Sequence, residues 1–266
     1  MSESLTVGIR GVGVVGPGLA SWEESIPLLC GEQAYEPTEL PPLKPALLPP
    51  NERRRTTQLI KLAIQAAEQA QQHSGIEAAQ LACVFASAEG DTFIVDRLCE
   101  ALILPEKPVS PTQFHNSVHN APAGYWAIAG AARRFSTSIA AAGASFAAGL
   151  LEAATFVASE GEPVLLVAYD IALPEALAPF GDSHSPFAVA LVLAPVDEQP
   201  PLGRLTLKPP QPGSATGIEP AAFVSLSEQN AAAQVLPLLS RLAGSESGAV
   251  NLAYLDDTVL PVELVC

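Results

Sequence analysis

The stretch STSIAAAGASFAAGLLEAATFVASEGEPVLLVAYD, residues 136–170, decides the class of fold. Residues 136–142 read as a strand, 145–159 as an alanine-rich helix and 163–168 as a buried apolar strand. Strand, helix and strand in that order form the repeating unit of an α/β domain, whose helices pack on the faces of a sheet. The same alternation continues outward over the first 195 residues and predicts a mostly parallel sheet.

Toward the N-terminus, residues 5–10 are a short strand candidate. Ser21-Trp22-Glu23-Glu24 has capping-box spacing and opens a helix that stops near Gly31. Prolines are too dense over 36–50 for a helix or central strand, so this is an extended connection. Asn51 then caps a long helix to about His73, with Leu59, Leu62, Ala63, Ala66, Ala67 and Ala70 at helical spacing and Gly75 just past its end. Residues 81–87 read as a strand, 92–102 as a helix, and Asn120 begins a helix that ends near Arg134. Residues 187–193 form another strand, and nothing helical is expected between it and the strand at 163–168. Past Pro195 the prolines at 200, 201, 209, 210 and 212 mark a linker-like stretch, followed by a modest helix over 229–242 and a strand over 249–255. The expected organisation is therefore one α/β domain over 1–195 and a reduced appendage over 196–266 packed on it.

The 266 residues are 48% hydrophobic and 15% charged, enough to bury a core without disulfides. Lys and Arg total 13 against 28 for Asp and Glu, a net charge of −15, which argues against a nucleic-acid partner because phosphates are held by clustered cations. The first residues have no basic region followed by an apolar run, and no window holds twenty uninterrupted apolar residues. Neither secretion nor a membrane span is expected. Cys30, Cys83, Cys99 and Cys266 are scattered, as in a reduced cytoplasmic protein.

Four motifs invite a chemical reading. Gly11-Val12-Gly13-Val14-Val15-Gly16 has dinucleotide-turn spacing, but Pro17 and Gly18 separate it from the helix cap at Ser21, so a tight strand-exit turn is expected instead. His115 and His119 lie four apart, yet Asn116 stands where a zincin needs Glu, so these are loop or interface histidines and no metal is expected. Asp182-Ser183-His184 are adjacent, whereas triad members meet by folding, and the chain has no G-x-S-x-G elbow. A polar turn is expected there. Glu52-Arg53-Arg54-Arg55, the one basic run, reads as a solvated first helical turn or a docking patch for an acidic carrier.

Several segments together resemble the N-terminal half of β-ketoacyl synthases, the thiolase-like condensing enzymes of fatty-acid and polyketide synthesis. VGIRGVGVVGPGLASWEESIPLLCGEQAY resembles their opening strand, glycine turn and first helix; RRRTTQLIKLAIQAAEQA resembles the arginine-led helix. VSPTQFHNSVHNAPAGYWAIAGAARRFSTSIAAAGAS, residues 109–145, is similar without a gap to the stretch running into the nucleophile strand and turn, and PVLLVAYD to the next core strand. The likeness covers roughly residues 5–195 and implies a thiolase-like α/β fold, one αβα half of the condensing-enzyme architecture.

The departures shape the expected function. The resemblance puts Gly143 at the position of the acyl-carrying cysteine, and glycine can form no thioester. The family's two C-terminal histidines have no counterpart, because His184 lies in neither of their contexts and the chain ends well short of the second half. No catalytic residue is expected. The resemblance implies instead a chain-length-factor-type subunit, as in polyketide and bacterial aryl-polyene clusters, that heterodimerises with a catalytic ketosynthase and meets acyl carrier protein through the complex. It implies no cofactor. Phe114, Val118 and His119 would face the partner's acyl tunnel. Ser136, Thr137, Ser138, Ile139, Ala140, Ala141 and Asn120 would form the dimer interface. Arg53, Arg54 and Arg55 could dock the carrier. Burying about 1,000 Å² of apolar surface in such a partner is worth on the order of 25 kcal/mol in gross transfer terms. Two other readings are a stand-alone acyltransferase using Ser145, Cys83 or Cys99, and a nucleotide-binding oxidoreductase.

Overall fold

Nine strands join in one sheet in the computed structural model, which describes residues 4–181, 183–196 and 202–266. Its N-terminal elements are β1 (Leu5–Val15), α1 (Trp22–Leu29), α2 (Pro50–Arg55), α3 (Gln58–Ser74), β2 (Ala82–Ala86), α4 (Thr92–Ile103), α5 (Pro111–Asn116) and α6 (Ala121–Ala129). There follow β3 (Ser136–Ile139), α7 (Ser145–Glu160), β4 (Val164–Asp170), β5 (Phe187–Ala194), β6 (Gly203–Leu207) and β7 (Gln211–Pro212). The C-terminal elements are α8 (Val224–Glu228), α9 (Leu236–Ala243), β8 (Gly248–Ala253) and β9 (Thr258–Val265). The strands run in the order β3-β2-β4-β5-β1-β6-β9-β7, with β8 also on β9.

Side chains alternate across the sheet and so build two apolar layers. Val164, Leu166 and Ala168 of β4 join a core with α7 and α9, while Leu165, Val167 and Tyr169 join a second core with α3 and α6. The result is the three-layer α/β arrangement expected. Residues 142–160 are long and apolar enough to cross a membrane by composition, but half of that window is buried, and Phe146, Leu150, Ala153 and Val157 of α7 belong to the first core.

The sheet is not mostly parallel. Only β2–β3 and β2–β4 are parallel pairs; every other pairing is antiparallel. A parallel return needs a long crossover, usually helical. Between β4 and β5 the described residues supply only the short 3₁₀ turn Ala178–Phe180, and β5 comes back antiparallel.

The glycine-rich N-terminal motif is not a turn either. β1 runs through it to Val15, with a bulge at Arg10 where the pairing with β5 shifts between Ile9 and Gly11. The extra residue keeps Val7, Ile9, Val12 and Val14 in the first core and turns Gly11 and Gly13 toward α3. A Cβ on Gly13 would lie 2.2 Å from the Ala66 carbonyl oxygen, and one on Gly11 2.2 Å from that of Ala70. These glycines let a helix lie close on a strand, which leaves no room for a pyrophosphate. Beyond the end of β6, α3 side chains serve as β1's partners: Gln69 accepts from Val14 N at 3.0 Å, and His73 Nδ1 lies 3.2 Å from Val12 N.

The single long helix expected from Asn51 is two. Thr56 turns to an extended ψ of 156° and its hydroxyl donates to the Arg53 carbonyl, while Thr57 caps α3 by accepting from Ile60 N. Side-chain bonds of this kind compete with the helical ladder. α6 stops at Ala129 rather than near Arg134, since Gly130 ends it and Ala131 takes a positive φ of 49°. β3 is shorter than expected, ending at Ile139. Past residue 202 the helix expected over 229–242 is the 3₁₀ turn Ala231–Val235 followed by α9; α8, β6, β7 and β9 were not expected from local pattern, and β6 continues the main sheet beside β1.

Candidate functional site

The ends of β2, β3 and β4 and the start of α7 converge on Gly143. From β3 the chain passes through Ala141 and reverses at Ala142, whose φ of 45° is left-handed. It then enters α7 at Ser145, after a short 3₁₀ turn. Gly143 is exposed, and nothing lies within 4 Å of the place its Cβ would occupy. The turn thus opens into free space at a helix N-terminus, a setting that would activate a thiolate, and offers no side chain there.

Ser145 does not replace the missing group. It is 1% exposed; its hydroxyl accepts from Ala141 N at 3.0 Å and donates to the Ala142 carbonyl at 2.7 Å. Both roles brace the strained turn. Cys83 is buried in β2, and burial pushes its thiol up to about 12. Cys99 is exposed on α4. The cavity beside Gly143, about 150 Å³, is lined by Ala88, Glu89, Ser183, Asn230 and Gln234 among others, with no histidine or cysteine among its lining residues. His184 is exposed and donates its backbone N–H to the Gln229 carbonyl. The Ser183 carbonyl accepts from Leu173 N, so Ser183 and His184 are irregular backbone tied to neighbouring loops; Asp182 lies outside the described residues.

Behind the cavity lies a polar knot that sequence reasoning missed. Asp170, at the end of β4, is 1% exposed. Its carboxylate accepts from the Ser87 hydroxyl at 2.7 Å and from Ala88 N and Glu89 N, each at 3.1 Å. Burial pushes Asp170 up to about 6, with nearby Glu89 adding to the rise and those three donors opposing it. Asn230, 1% exposed, donates to the Asp170 and Ser185 carbonyls. The only sequence signal was an acidic residue closing an apolar strand, PVLLVAYD.

The residues expected at a tunnel differ in their surroundings. His119 Nε2 lies 3.1 Å from the Ser87 carbonyl, next to the knot. Phe114 and Val118 are 66% and 53% exposed, and neither lines a cavity with His119. His115 packs edge-on against Tyr125 and His119 points elsewhere, and among the described residues no cluster suited to a metal forms. Asn120 precedes α6 without a side-chain cap bond. Ser136, Thr137, Ser138 and Ile139 make the outermost strand, which pairs only with β2, while Ala140 and Ala141 lie beyond it in the turn. In the basic run, Arg53 donates to the Pro45 carbonyl, Arg54 bonds Asn51 and Arg55 stands 3.8 Å from Glu52. Arg55 also lines a cavity of about 430 Å³ with Asp91, Phe93, Arg97 and Asn116.

Comparison with known proteins places these features in a family setting. The family model described as "Beta-ketoacyl synthase, N-terminal domain" matches residues 30–249. No curated protein matches the chain. Among solved structures it is similar to a chain of the ketosynthase ApeO in complex with its chain length factor ApeC from Xenorhabdus doucetiae. There the identity is 25% over 97% of this chain and 99% of that one, with a TM-score of 0.73. At 12% identity it shares the fold of a chain in a type II polyketide synthase acyl-carrier protein–ketosynthase complex bound to the hexaketide, AntDE:AntF. That match covers 99% of this chain and 100% of that one, with a TM-score of 0.77. A β-ketoacyl synthase from Burkholderia phymatum is 14% identical, with 77% of this chain and 63% of that chain covered and a TM-score of 0.58.

Proposed function

This chain belongs to the β-ketoacyl synthase N-terminal-domain family, and from that membership we propose that it is a non-catalytic, chain-length-factor-like subunit. In this reading it heterodimerises with a catalytic ketosynthase, meets acyl carrier protein through that complex, and shapes or stabilises the partner's acyl tunnel in polyketide- or fatty-acid-type synthesis. The aryl-polyene type, which the sequence resembles, is the specific setting proposed. Residues 1–195 are the ketosynthase-like unit and 196–266 its reduced appendage.

The observation that carries the reading is Gly143: an open turn at the head of α7 with no nucleophile, beside a cavity without an imidazole. Ser145, the nearest hydroxyl, is held by two bonds and lacks the adjacent base that a serine nucleophile needs. The similarity to a chain from a ketosynthase solved with its chain length factor supports the partner.

Two surfaces suit a partner. β3 is an edge strand, and unpaired backbone groups along such an edge are a template for another strand. α4 buries only Thr92 and Ile94, leaving Phe93, Val95, Leu102 and Ile103 exposed, and Phe114 and Val118 are exposed nearby in sequence. Apolar side chains in this number are the mark of an interaction face.

Co-expression with a catalytic ketosynthase is the test. A stable heterodimer whose product distribution depends on this chain is expected. A chain that stays monomeric, with a ketosynthase that behaves identically without it, overturns the reading. Intact-mass measurement after incubation with acyl thioesters tests the non-catalytic part, since a covalent acyl adduct on this chain would contradict it.

A further inference from the structure

The strand ends that frame the Gly143 turn are tied together through one residue. Ser87 N donates to the carbonyl of Ile139, the last residue of β3, at 3.2 Å. The Ser87 carbonyl faces His119 Nε2 at 3.1 Å. Its hydroxyl accepts from Gly90 N at 2.9 Å and donates to Asp170 at 2.7 Å. Gly90 closes the 87–90 turn at a φ of 66°, a conformation other residues adopt at a cost, and the His119 ring lies 3.4 Å from the position of its absent Cβ.

Asp170 holds this turn from inside the protein. One oxygen takes the Ser87 hydroxyl and Glu89 N, and the other takes Ala88 N. Its backbone carbonyl takes Asn230, whose own side chain caps the 3₁₀ turn Ala231–Val235 through Ala232 N. Two walls of the 150 Å³ cavity therefore hang on a single buried residue, Ala88–Glu89 through its carboxylate and Asn230–Ala231 through its backbone carbonyl. A carboxylate is an expensive group to bury, and charge-assisted bonds to several donors give it a defined geometry in return.

We propose that Asp170 is the positioning residue of this site: acting through Ser87, it fixes where His119 and the end of edge strand β3 stand, and with them the wall presented to a partner's acyl chain. This rests on the reading of His119 as a gating residue.

The test uses the full chain co-expressed with a catalytic ketosynthase, with variants Ser87→Ala, Asp170→Asn, His119→Ala, His119→Trp and the double variant Ser87→Ala/His119→Ala. Two readouts are taken: product chain length in the complex, and the His119 ring resonance in histidine-labelled protein. The chain has four histidines, and the signal is assigned by its loss in His119→Trp. Ser87→Ala is expected to displace the His119 resonance and to change product length in the same direction as His119→Ala. The double variant should go no further than the larger single effect, because the two residues act as one unit. Ser87→Ala retains two of the three bonds to Asp170, so it answers the question even if Asp170→Asn does not fold. An undisplaced His119 resonance in folded Ser87→Ala overturns the proposal. So does an additive double variant. If His119→Trp leaves product length unchanged, the gating reading fails, and the resonance alone decides whether Asp170 positions the ring.

Discussion

The Ser145 hydroxyl donates a 2.7 Å hydrogen bond to the carbonyl of Ala142, the residue that carries a positive φ immediately before Gly143. A hydroxyl that could pass for a nucleophile is thereby a brace for the turn, and the turn it braces presents only a hydrogen atom to the solvent.

Because the space above Gly143 is empty and its φ is not left-handed, Gly143→Cys should fold with stability within about 1 kcal/mol of the parent. At the head of the 16-residue helix α7 the new thiol should ionise readily and react with iodoacetamide at pH 7 faster than exposed Cys99. Mass spectrometry of the modified peptides checks this. An unreactive thiol in that variant would mean that the turn is closed in solution.

Gly13→Ala should be far more damaging than a surface change of the same size. The added methyl would stand 2.2 Å from the Ala66 carbonyl oxygen, and backbone cannot swing aside as a flexible side chain does. Separating α3 from β1 should cost about 3 kcal/mol or more. Denaturant melts of the two proteins measure it, and a loss below about 1 kcal/mol would contradict the close packing.

Burial raises Asp170 from 3.8 to about 6, so the folded chain binds this proton more tightly than the unfolded chain does. Its contribution therefore favours folding at low pH and is lost as the pH climbs from about 4 to about 6, a change of about 3 kcal/mol. Asp170→Asn removes that dependence. The stability of the variant relative to the parent should rise by this amount between pH 4 and pH 7, on top of a constant penalty because an amide NH₂ cannot accept from Ala88 N or Glu89 N as a carboxylate does. A parallel pair of pH–stability curves would show that Asp170 is ionised at an ordinary value.

Phe135, just before β3, and Ile139, at its end, direct their carbonyls to β2, so Ser138, one residue out of phase, turns its backbone N–H to the free edge. Ser138→Pro should therefore spare most of the β2 ladder and remove a donor needed by an added strand. We expect the variant to melt within about 1–2 kcal/mol of the parent yet to lose co-purification with a ketosynthase. Retained co-purification would move the interface away from β3.

Much of this molecule is legible from local pattern. The capping serine at 21, the core positions of α3, the alanine helix after Gly143 and the apolar strand before Asp170 are each specified by residues close in sequence. The bare position 143 is legible too, since a side chain that the chain does not encode cannot be supplied by folding. Reading 11–16 as a turn failed because glycine signals either a bend or a close neighbour, and only the position of α3, some fifty residues away, distinguishes them. The antiparallel return of β5 was implicit in the missing helix after β4, though no single segment states it.

What the sequence determined by itself is therefore most of the elements and the missing side chain at position 143, because helix caps, apolar spacing and side-chain identity act over a few residues. Only the tertiary structure decided that Asp170, Ser87 and His119 form one unit, that β3 lies at an open edge and that Ser145 is spoken for. Each of these depends on hydrogen bonds that the folded sheet and its strand ends set in place, and the bonds among Asp170, Ser87 and His119 join residues far apart in the chain.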